Sequence, residues 1–180
     1  MKKINGTRIV AGIAILCFFM MSIPVAQAAD PWWNENWAYR KKITIDSNKI
    51  STSLVNFPVM INLASDSHLA SRAQSDGDDI VFTDRNGNKL NHEIELFTKS
   101  TGRLIAWVKV PSLSSTTNTV LYMYYGNGGC TSQQNRVGTW DSNYLMVHHM
   151  QESGTVYDST STGFSGTNSG VSSSVNGKIG

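Results

Sequence analysis

The chain has 180 residues, with 15 Lys and Arg against 13 Asp and Glu, and a formal net charge of +2 at pH 7. Three of the basic residues, Lys2, Lys3 and Arg8, lie within the first 28 residues, so the rest carries 12 basic and 13 acidic side chains, a net charge near −1. A charge this close to zero gives no electrostatic reason to expect nucleic acid or an anionic membrane as a partner.

The first 28 residues have the pattern of a secretory signal peptide. A basic start is followed by an apolar run from Ile9 to Met21 and then by Ala26-Gln27-Ala28, a small-x-small cleavage signal. The apolar run is too short to span a bilayer comfortably. We therefore expect cleavage after Ala28, export to the extracellular space, cell surface or periplasm, and no transmembrane span in the mature chain.

Six short runs rich in Val, Ile, Phe, Tyr and Trp, each bounded by turn residues, predict β-strands. They are residues 40–46, 57–63, 80–83, 89–97, 104–110 and 120–125. Only residues 67–73 have a helical pattern, with Asp66 or Ser67 as the N-cap. Short strands separated by turns predict an all-β fold, specifically an antiparallel β-sandwich of the jelly-roll type with one short helix.

Composition changes after Tyr144, and residues 158–180 are mostly Ser, Thr, Gly and Asn. Such a segment is typical of a flexible linker, or it is the incomplete start of a second domain. The predicted organisation is a signal peptide at 1–28, a β-sandwich domain at 29–143 and this segment at 144–180. Residues from about 152 onward are expected to be poorly ordered or only to lean on the first domain.

Residues 73–95 hold the densest group of acidic side chains. Asp76, Asp78, Asp79 and Asp84 lie near amides, and calcium prefers such oxygen ligands. The alternative is that Asn86-Gly87 forms a type I′ turn between strands 80–83 and 89–93. Because the spacing of an EF-hand loop is missing, we favour the hairpin. Calcium is the one cofactor that the sequence suggests.

Two glutamates alternate along the predicted strand that follows. Glu93 and Glu95 share one face, about 7 Å apart, and His92 lies on the other. Paired carboxylates can perform acid–base chemistry on a glycosidic bond. Two glutamates on one strand are nevertheless common, and we favour a solvated face.

No other pattern predicts catalysis. His148, His149 and Glu152 carry zinc-ligand side chains, but their order fits neither H-E-x-x-H nor H-x-x-E-H. Cys130, the one cysteine left after the predicted cleavage, has no evident base partner and no disulfide partner in its own chain. The chain is therefore predicted not to be an enzyme.

An aromatic group precedes the first predicted strand. Exposed indoles stack on sugar rings, which makes Trp32 and Trp33 candidate ligand-binding residues. The alternative is that these two rings cover a sheet edge. Trp37 and Tyr39 are interpreted instead as residues that close the core.

Several long phrases of the sequence resemble the domain of unknown function 2341 family, over residues 34–143. They are NENWAYRKKITID, NFPVMINLASDSHLASRAQSDGDDIVFTDRNGNKLNHEIE, GRLIAWVKVPSLSSTTNTVLYMYYGN and TWDSNYLMVHHMQES. The resemblance implies a β-rich extracellular module with no established activity and no catalytic residues. Residues 144–180 are similar to the beginning of a concanavalin A-like or laminin G-like jelly roll.

These observations favour a non-catalytic module of an exported or cell-surface protein, with glycans or other envelope and surface proteins as partners. One alternative is an accessory domain of a secreted enzyme that acts on polysaccharide. Another is a periplasmic component of a proton-channel-type assembly for biopolymer transport, which is suggested only by domains found beside family members.

Overall fold

The computed structural model describes residues 29–150 and 154–169. The predicted signal peptide and its cleavage position after Ala28 lie outside the described residues. The elements in chain order are β1 (Tyr39–Ile45), β2 (Leu54–Leu63), α1 (Ser67–Arg72), β3 (Val81–Asp84), β4 (His92–Thr98), β5 (Arg103–Leu113), β6 (Thr119–Tyr125), α2 (Arg136–Thr139), β7 (Thr155–Val156) and β8 (Gly166–Thr167). Every predicted strand is present, with ends shifted by a few residues.

The strands form two three-stranded antiparallel sheets and one short hairpin. The first sheet has the order β1-β6-β3 and the second has the order β2-β5-β4, while β7 pairs with β8. The predicted all-β, antiparallel fold is therefore confirmed. No helix in the described part of the chain is long and apolar enough to cross a membrane.

Side chains from both sheets share one hydrophobic core. In β6, Leu121, Met123 and Tyr125 belong to it, whereas the alternate residues Tyr122 and Tyr124 pack on the opposite face of the strand. The second sheet contributes further buried residues, which are Ile61, Leu104, Ala106, Val108, Val110 and Leu113. Strand alternation thus gives each sheet a core face and an outer face.

A β-bulge interrupts the pairing of β4 with β5. Ile94 lies opposite Ala106 and Leu96 lies opposite Ile105, so that Glu95 is the extra residue of β4. His92 is fully buried, and its ring meets Phe82 edge-on at 5.3 Å. The bulge places Glu95 outside the regular alternation.

The turn at Asn86-Gly87 is not of the predicted type I′, and the predicted hairpin is reduced to a short antiparallel contact. β3 pairs with β6 and β4 pairs with β5, so these two strands belong to different sheets, and only a bridge from Thr83 to Lys89 joins the arms. Gly87 has φ +86, but Asn86 does not have the positive φ that a type I′ turn requires. The turn lies in a crossover from the first sheet to the second, because β3 forms its ladder with β6 and β4 forms its ladder with β5.

The short helix α1 begins as predicted at Asp66, whose carboxylate accepts the N–H groups of His68 and Leu69 at 3.0 Å each. Gly102 lies against this cap with φ +67, and a Cβ there would meet the carbonyl oxygen of Asp66 at 1.9 Å. Only glycine therefore fits at this position. Helix α2, which has four residues capped by Asn135, was not predicted because it is too short to show a helical period.

Candidate functional site

The N-terminal segment packs on the outer face of the first sheet. Trp37 is 5% exposed, and its indole N–H donates to the carbonyl of Asp79 at 2.6 Å. The Trp33 ring lies 4.7 Å from that of Trp37, and the Trp33 backbone N–H donates to the Tyr124 hydroxyl at 3.0 Å. The predicted burial of Trp37 is confirmed, and Trp33 is half-buried beside it.

Trp32 differs from Trp33 because its side chain is 43% exposed. Its ring meets Tyr124 edge-on at 5.3 Å, and the guanidinium of Arg40 lies 4.9 Å from the ring centroid. The indole N–H donates to the carbonyl of Asn34 at 2.9 Å, so the ring is held in place. The two candidate tryptophans therefore do not form one exposed pair, and only Trp32 presents its ring to solvent.

Arg40 connects this ring to other charged groups, because its guanidinium also donates to the carbonyl of Asp30 at 3.2 Å. The carboxylate of Asp30 accepts hydrogen bonds from the Tyr122 hydroxyl at 2.7 Å and from Arg85 at 3.0 Å, and both lower the pKa of Asp30. Arg40 also lies 4.3 Å over the Tyr122 ring. We call the group of Asp30, Trp32, Arg40, Arg85 and Tyr122 the Trp32 surface.

The acidic residues near the crossover have structural partners. Asp79 is fully buried, and one carboxylate oxygen accepts the N–H of Gln74 at 2.9 Å. Its other oxygen accepts the N–H groups of Gly126 and Asn127 at 2.6 and 3.1 Å. Three backbone donors therefore occupy this carboxylate, which joins the loop before β3 to the end of β6.

Of the other three candidate calcium ligands, Asp76 and Asp78 lie in the loop before β3, and Asp84 is the last residue of β3. Asp84 accepts from the backbone N–H groups of Asn86 and Asn88 and from the side chain of Asn88. Asp76 accepts the N–H of Asp78 at 3.1 Å. No group of three or more His, Cys, Asp or Glu side chains that could hold a metal ion occurs within residues 29–150 and 154–169. Calcium binding in these loops stays a prediction without support from this geometry.

The interpretation of Glu93 and Glu95 as a solvated face is wrong. Their side chains are only 5% and 8% exposed and contact later parts of the chain. The indole N–H of Trp140 donates to Glu93 Oε2 at 2.7 Å, and that of Trp107 donates to Glu95 Oε2 at 2.7 Å. Both glutamates thus lie under the segment that follows β6.

His149 lies between these two carboxylates. Its Nε2 is 3.2 Å from Glu93 Oε2, and its Nδ1 is 3.1 Å from Glu95 Oε2. The Ser159 hydroxyl donates to Glu93 Oε1 at 2.5 Å. We call the group of Glu93, Glu95, Trp107, Trp140, His149 and Ser159 the Glu93 clasp.

The clasp favours the ionised form of Glu93. Burial alone raises the pKa of this carboxyl group, but the contacts from His149, Ser159 and Trp140 outweigh burial and lower it below its ordinary value. Because protein donors already occupy both oxygens, this carboxylate is not presented to a substrate. The glutamates and His149 lie more than fifty positions apart in the sequence, so no local motif could have indicated this contact.

The C-terminal segment is also ordered by its own carboxylate. Asp158 is 5% exposed and accepts the backbone N–H groups of Val147, Thr160 and Phe164 together with the Thr162 hydroxyl. Burial raises its pKa, but these hydrogen bonds hold it well below the usual range. Residues 154–169 thus contact the second sheet through the bond from Ser159 to Glu93, and the domain boundary at 143 stays a prediction.

The remaining candidates show no catalytic arrangement. His148 Nε2 lies 2.8 Å from the carbonyl oxygen of Phe164, and Glu152 lies outside the described residues. Cys130 is half-buried beside Gln74, and burial together with the nearby Asp79 raises the pKa of its thiol. The thiol is therefore held in its less reactive, protonated form.

Comparison with known families gives one match. The model of a family described as a domain of unknown function, DUF2341, matches residues 76–165, which is half of the chain. The matched range includes β3 to β7 and all members of the Glu93 clasp, and it crosses the boundary predicted at 143. No curated protein and no solved structure matches the chain. The resemblance of residues 144–180 to a concanavalin A-like start stays a prediction.

Proposed function

We propose that this chain, which belongs to the DUF2341 family, is a non-catalytic module of an exported or cell-surface protein that contacts glycans through the Trp32 surface. The observation that supports this most directly is the exposed ring of Trp32, anchored at its edge and beside charged groups. The two sheets around one core are expected to form a sandwich that carries this surface.

An anchored indole suits sugar recognition for two physical reasons. Its flat apolar face can cover the C–H face of a pyranose ring, and its conformation is already restricted by Tyr124 and Asn34, which lowers the entropy lost on binding. Arg85 is half-exposed on the same surface, where it pairs with the Asp30 carboxylate at 3.0 Å. A half-exposed guanidinium has further N–H donors that can bind the hydroxyl groups of a sugar.

The predicted export of the chain is consistent with this location. Cleavage after Ala28 would leave Ala29, Asp30 and Pro31 at the new N-terminus, directly before Trp32. The Trp32 surface would then begin at Asp30, the second residue of the processed chain. The hydrogen-bonded carboxylates of the Glu93 clasp support the non-catalytic part of the proposal.

The proposal is tested by glycan-array binding of the chain that begins at Ala29. We expect binding that Trp32→Ala abolishes, since this change removes the stacking face without emptying the core. Tyr157→Ala removes another exposed aromatic ring, 53% exposed, and should leave binding unchanged. Failure of the unaltered protein to bind any glycan at millimolar concentration, or an equal loss in both variants, would contradict the proposal.

Trp33→Ala separates binding from stability. Because the Trp33 ring packs against the rings of Trp37 and Tyr124, its removal should lower the free energy of unfolding. Trp32→Ala should leave that free energy nearly unchanged. If the two variants lost stability equally, loss of binding in Trp32→Ala could not be assigned to the exposed ring, and the assignment of the surface would fail.

A further inference from the structure

A pocket of about 250 Å³ opens beside the β2–β5 strand pair, on the sheet that does not carry the Trp32 surface. The residues that line it are Asn56, Lys89, Leu90, Asn91, Lys109 and Pro111, and we call it the Lys109 pocket. Its volume lies just below the range of pockets for drug-sized ligands, which suits a ligand with a single ring.

The backbone departs from regular strand geometry at this pocket. Val55 pairs with Ser112 and Phe57 pairs with Val110, whereas Asn56 and the intervening Pro111 are not paired. Asn56 has φ +51, in the left-handed region that non-glycine residues seldom adopt. Such a conformation costs free energy and is concentrated at binding sites and other functional positions. The β2–β5 ladder is therefore interrupted at two of the residues that line the pocket, Asn56 and Pro111.

The charge of the pocket is positive and uncompensated. Within residues 29–150 and 154–169, neither Lys89 nor Lys109 has a carboxylate at ion-pair distance. The Lys89 ammonium donates to the Gln133 side chain at 2.8 Å, and the Lys109 ammonium makes no hydrogen bond to that part of the chain. Two ammonium groups beside one cavity favour an anionic ligand.

The amides and apolar groups of the lining further restrict the class of ligand that the pocket can bind. Asn91 is fixed by hydrogen bonds to Gly138 and Asn135, while Asn56 makes no side-chain hydrogen bond in the described structure and can bind a hydroxyl group. Leu90 and Pro111 add apolar surface that can meet C–H groups. The lining thus combines cations, one available amide and a small apolar wall.

We propose that the Lys109 pocket binds a single carboxylated sugar ring of the hexuronate class. Lys109 and Lys89 pair with the carboxylate, Asn56 hydrogen-bonds a ring hydroxyl, and Pro111 contacts the ring. This site is separate from the Trp32 surface and goes beyond the proposed function. It gives the module a preference for acidic sugars that its net charge near −1 does not predict.

Amide chemical shifts during titration with glucuronate test this proposal. We expect saturable shifts at Asn56, Asn91 and Lys109, with much smaller shifts when glucose, which lacks the carboxylate, replaces glucuronate. Lys109→Gln should weaken glucuronate binding by about tenfold or more, because a hydrogen bond to a charged partner is lost. Lys49→Gln removes an exposed lysine at the end of the 3-10 helix Ser47–Lys49 and should change nothing.

Three outcomes would overturn the proposal. Equal shifts with glucose would show that the lysines do not select the ligand. Equal affinity for inorganic phosphate would show a general attraction for anions rather than a sugar site. No effect of Lys109→Gln would place the binding elsewhere. Because Trp32→Ala should leave glucuronate affinity at the Lys109 pocket unchanged, failure here is distinguishable from failure of the Trp32 surface.

Discussion

The hydroxyl of Ser159 donates a 2.5 Å hydrogen bond to Glu93, 66 positions earlier in the chain. The same carboxylate accepts the indole N–H of Trp140, 47 positions after it. One buried side chain of β4 therefore joins two separate points of the later chain to the second sheet.

Glu93→Ala is expected to lower the free energy of unfolding by about 3 kcal/mol, because it leaves the donors of Trp140 and Ser159 without their acceptor and removes one of the two carboxylates beside His149. Glu93→Gln keeps one acceptor oxygen and should cost less. Urea unfolding gives both values. Glu35→Ala, at an exposed position, is the control, and an equal cost at Glu35 and Glu93 would refute the importance of the clasp.

Acid should release the C-terminal segment. The contacts lower the pKa of Glu93 from its ordinary value of 4.5, so the stabilisation is present above about pH 4.5 and is lost as the pH falls through the lower, folded-state pKa. Amide hydrogen exchange in residues 154–169 should therefore accelerate on acidification. In Glu93→Gln the acid dependence should weaken, leaving the part that comes from Asp158. An unchanged profile would contradict this assignment.

His92 should make the core sensitive to pH in a higher range. Burial lowers the pKa of this imidazole from 6.5 to about 4, so the unfolded chain takes up a proton first as the pH falls. Stability should decrease by about 3 kcal/mol between pH 6.5 and 4 and then level off. His92→Leu removes the titrating group, and its unfolding free energy should be nearly constant in this range. A parallel fall in the variant would assign the effect to other groups.

Asp79 should be essential for stability, whereas Asp76 should not. Asp79→Ala removes the acceptor of three backbone N–H groups and is expected to cost about 3 kcal/mol. Asp76→Ala, at an exposed turn position, should cost under about 0.5 kcal/mol. Thermal unfolding measures both.

The same measurement with millimolar calcium tests the metal interpretation of these loops. We expect no rise in Tm, because backbone donors occupy Asp79 and Asp84. A calcium-dependent rise that Asp76→Ala removes would show instead that the loops rearrange to bind the ion.

Local patterns predicted the elements because local forces determine them. The alternation from Leu104 to Val110 identified β5, and Asp66 identified the start of α1. The crossover at Asn86-Gly87 was misjudged, because turn residues indicate a reversal of the chain but not which sheet the next strand joins. Pairing with β5 and β6 decided that question.

The burial of Glu93 could not be predicted from its neighbours in the sequence. An alternating Glu-x-Glu pattern indicates one face of a strand, but burial of that face depends on residues that come much later in the chain. The polar composition after Tyr144 suggested a linker. It gave no indication that Ser159 and Asp158 are buried, although they are only 2% and 5% exposed. Trp33 is less exposed than Trp32 because its ring also packs against the buried Trp37, a contact that the order of the residues does not indicate.

The long sequence separation within the Glu93 clasp also determines when its contacts form during folding. Closing a loop of 66 residues costs conformational entropy. Contacts of His149 and Ser159 can offset this cost only after β4 and β5 have paired and formed the surface that these residues bind. We expect these contacts to form last during folding and to open first in the native state, while both sheets remain intact. Each opening would briefly uncover Trp107 and two carboxylates, a transient surface that the closed structure hides.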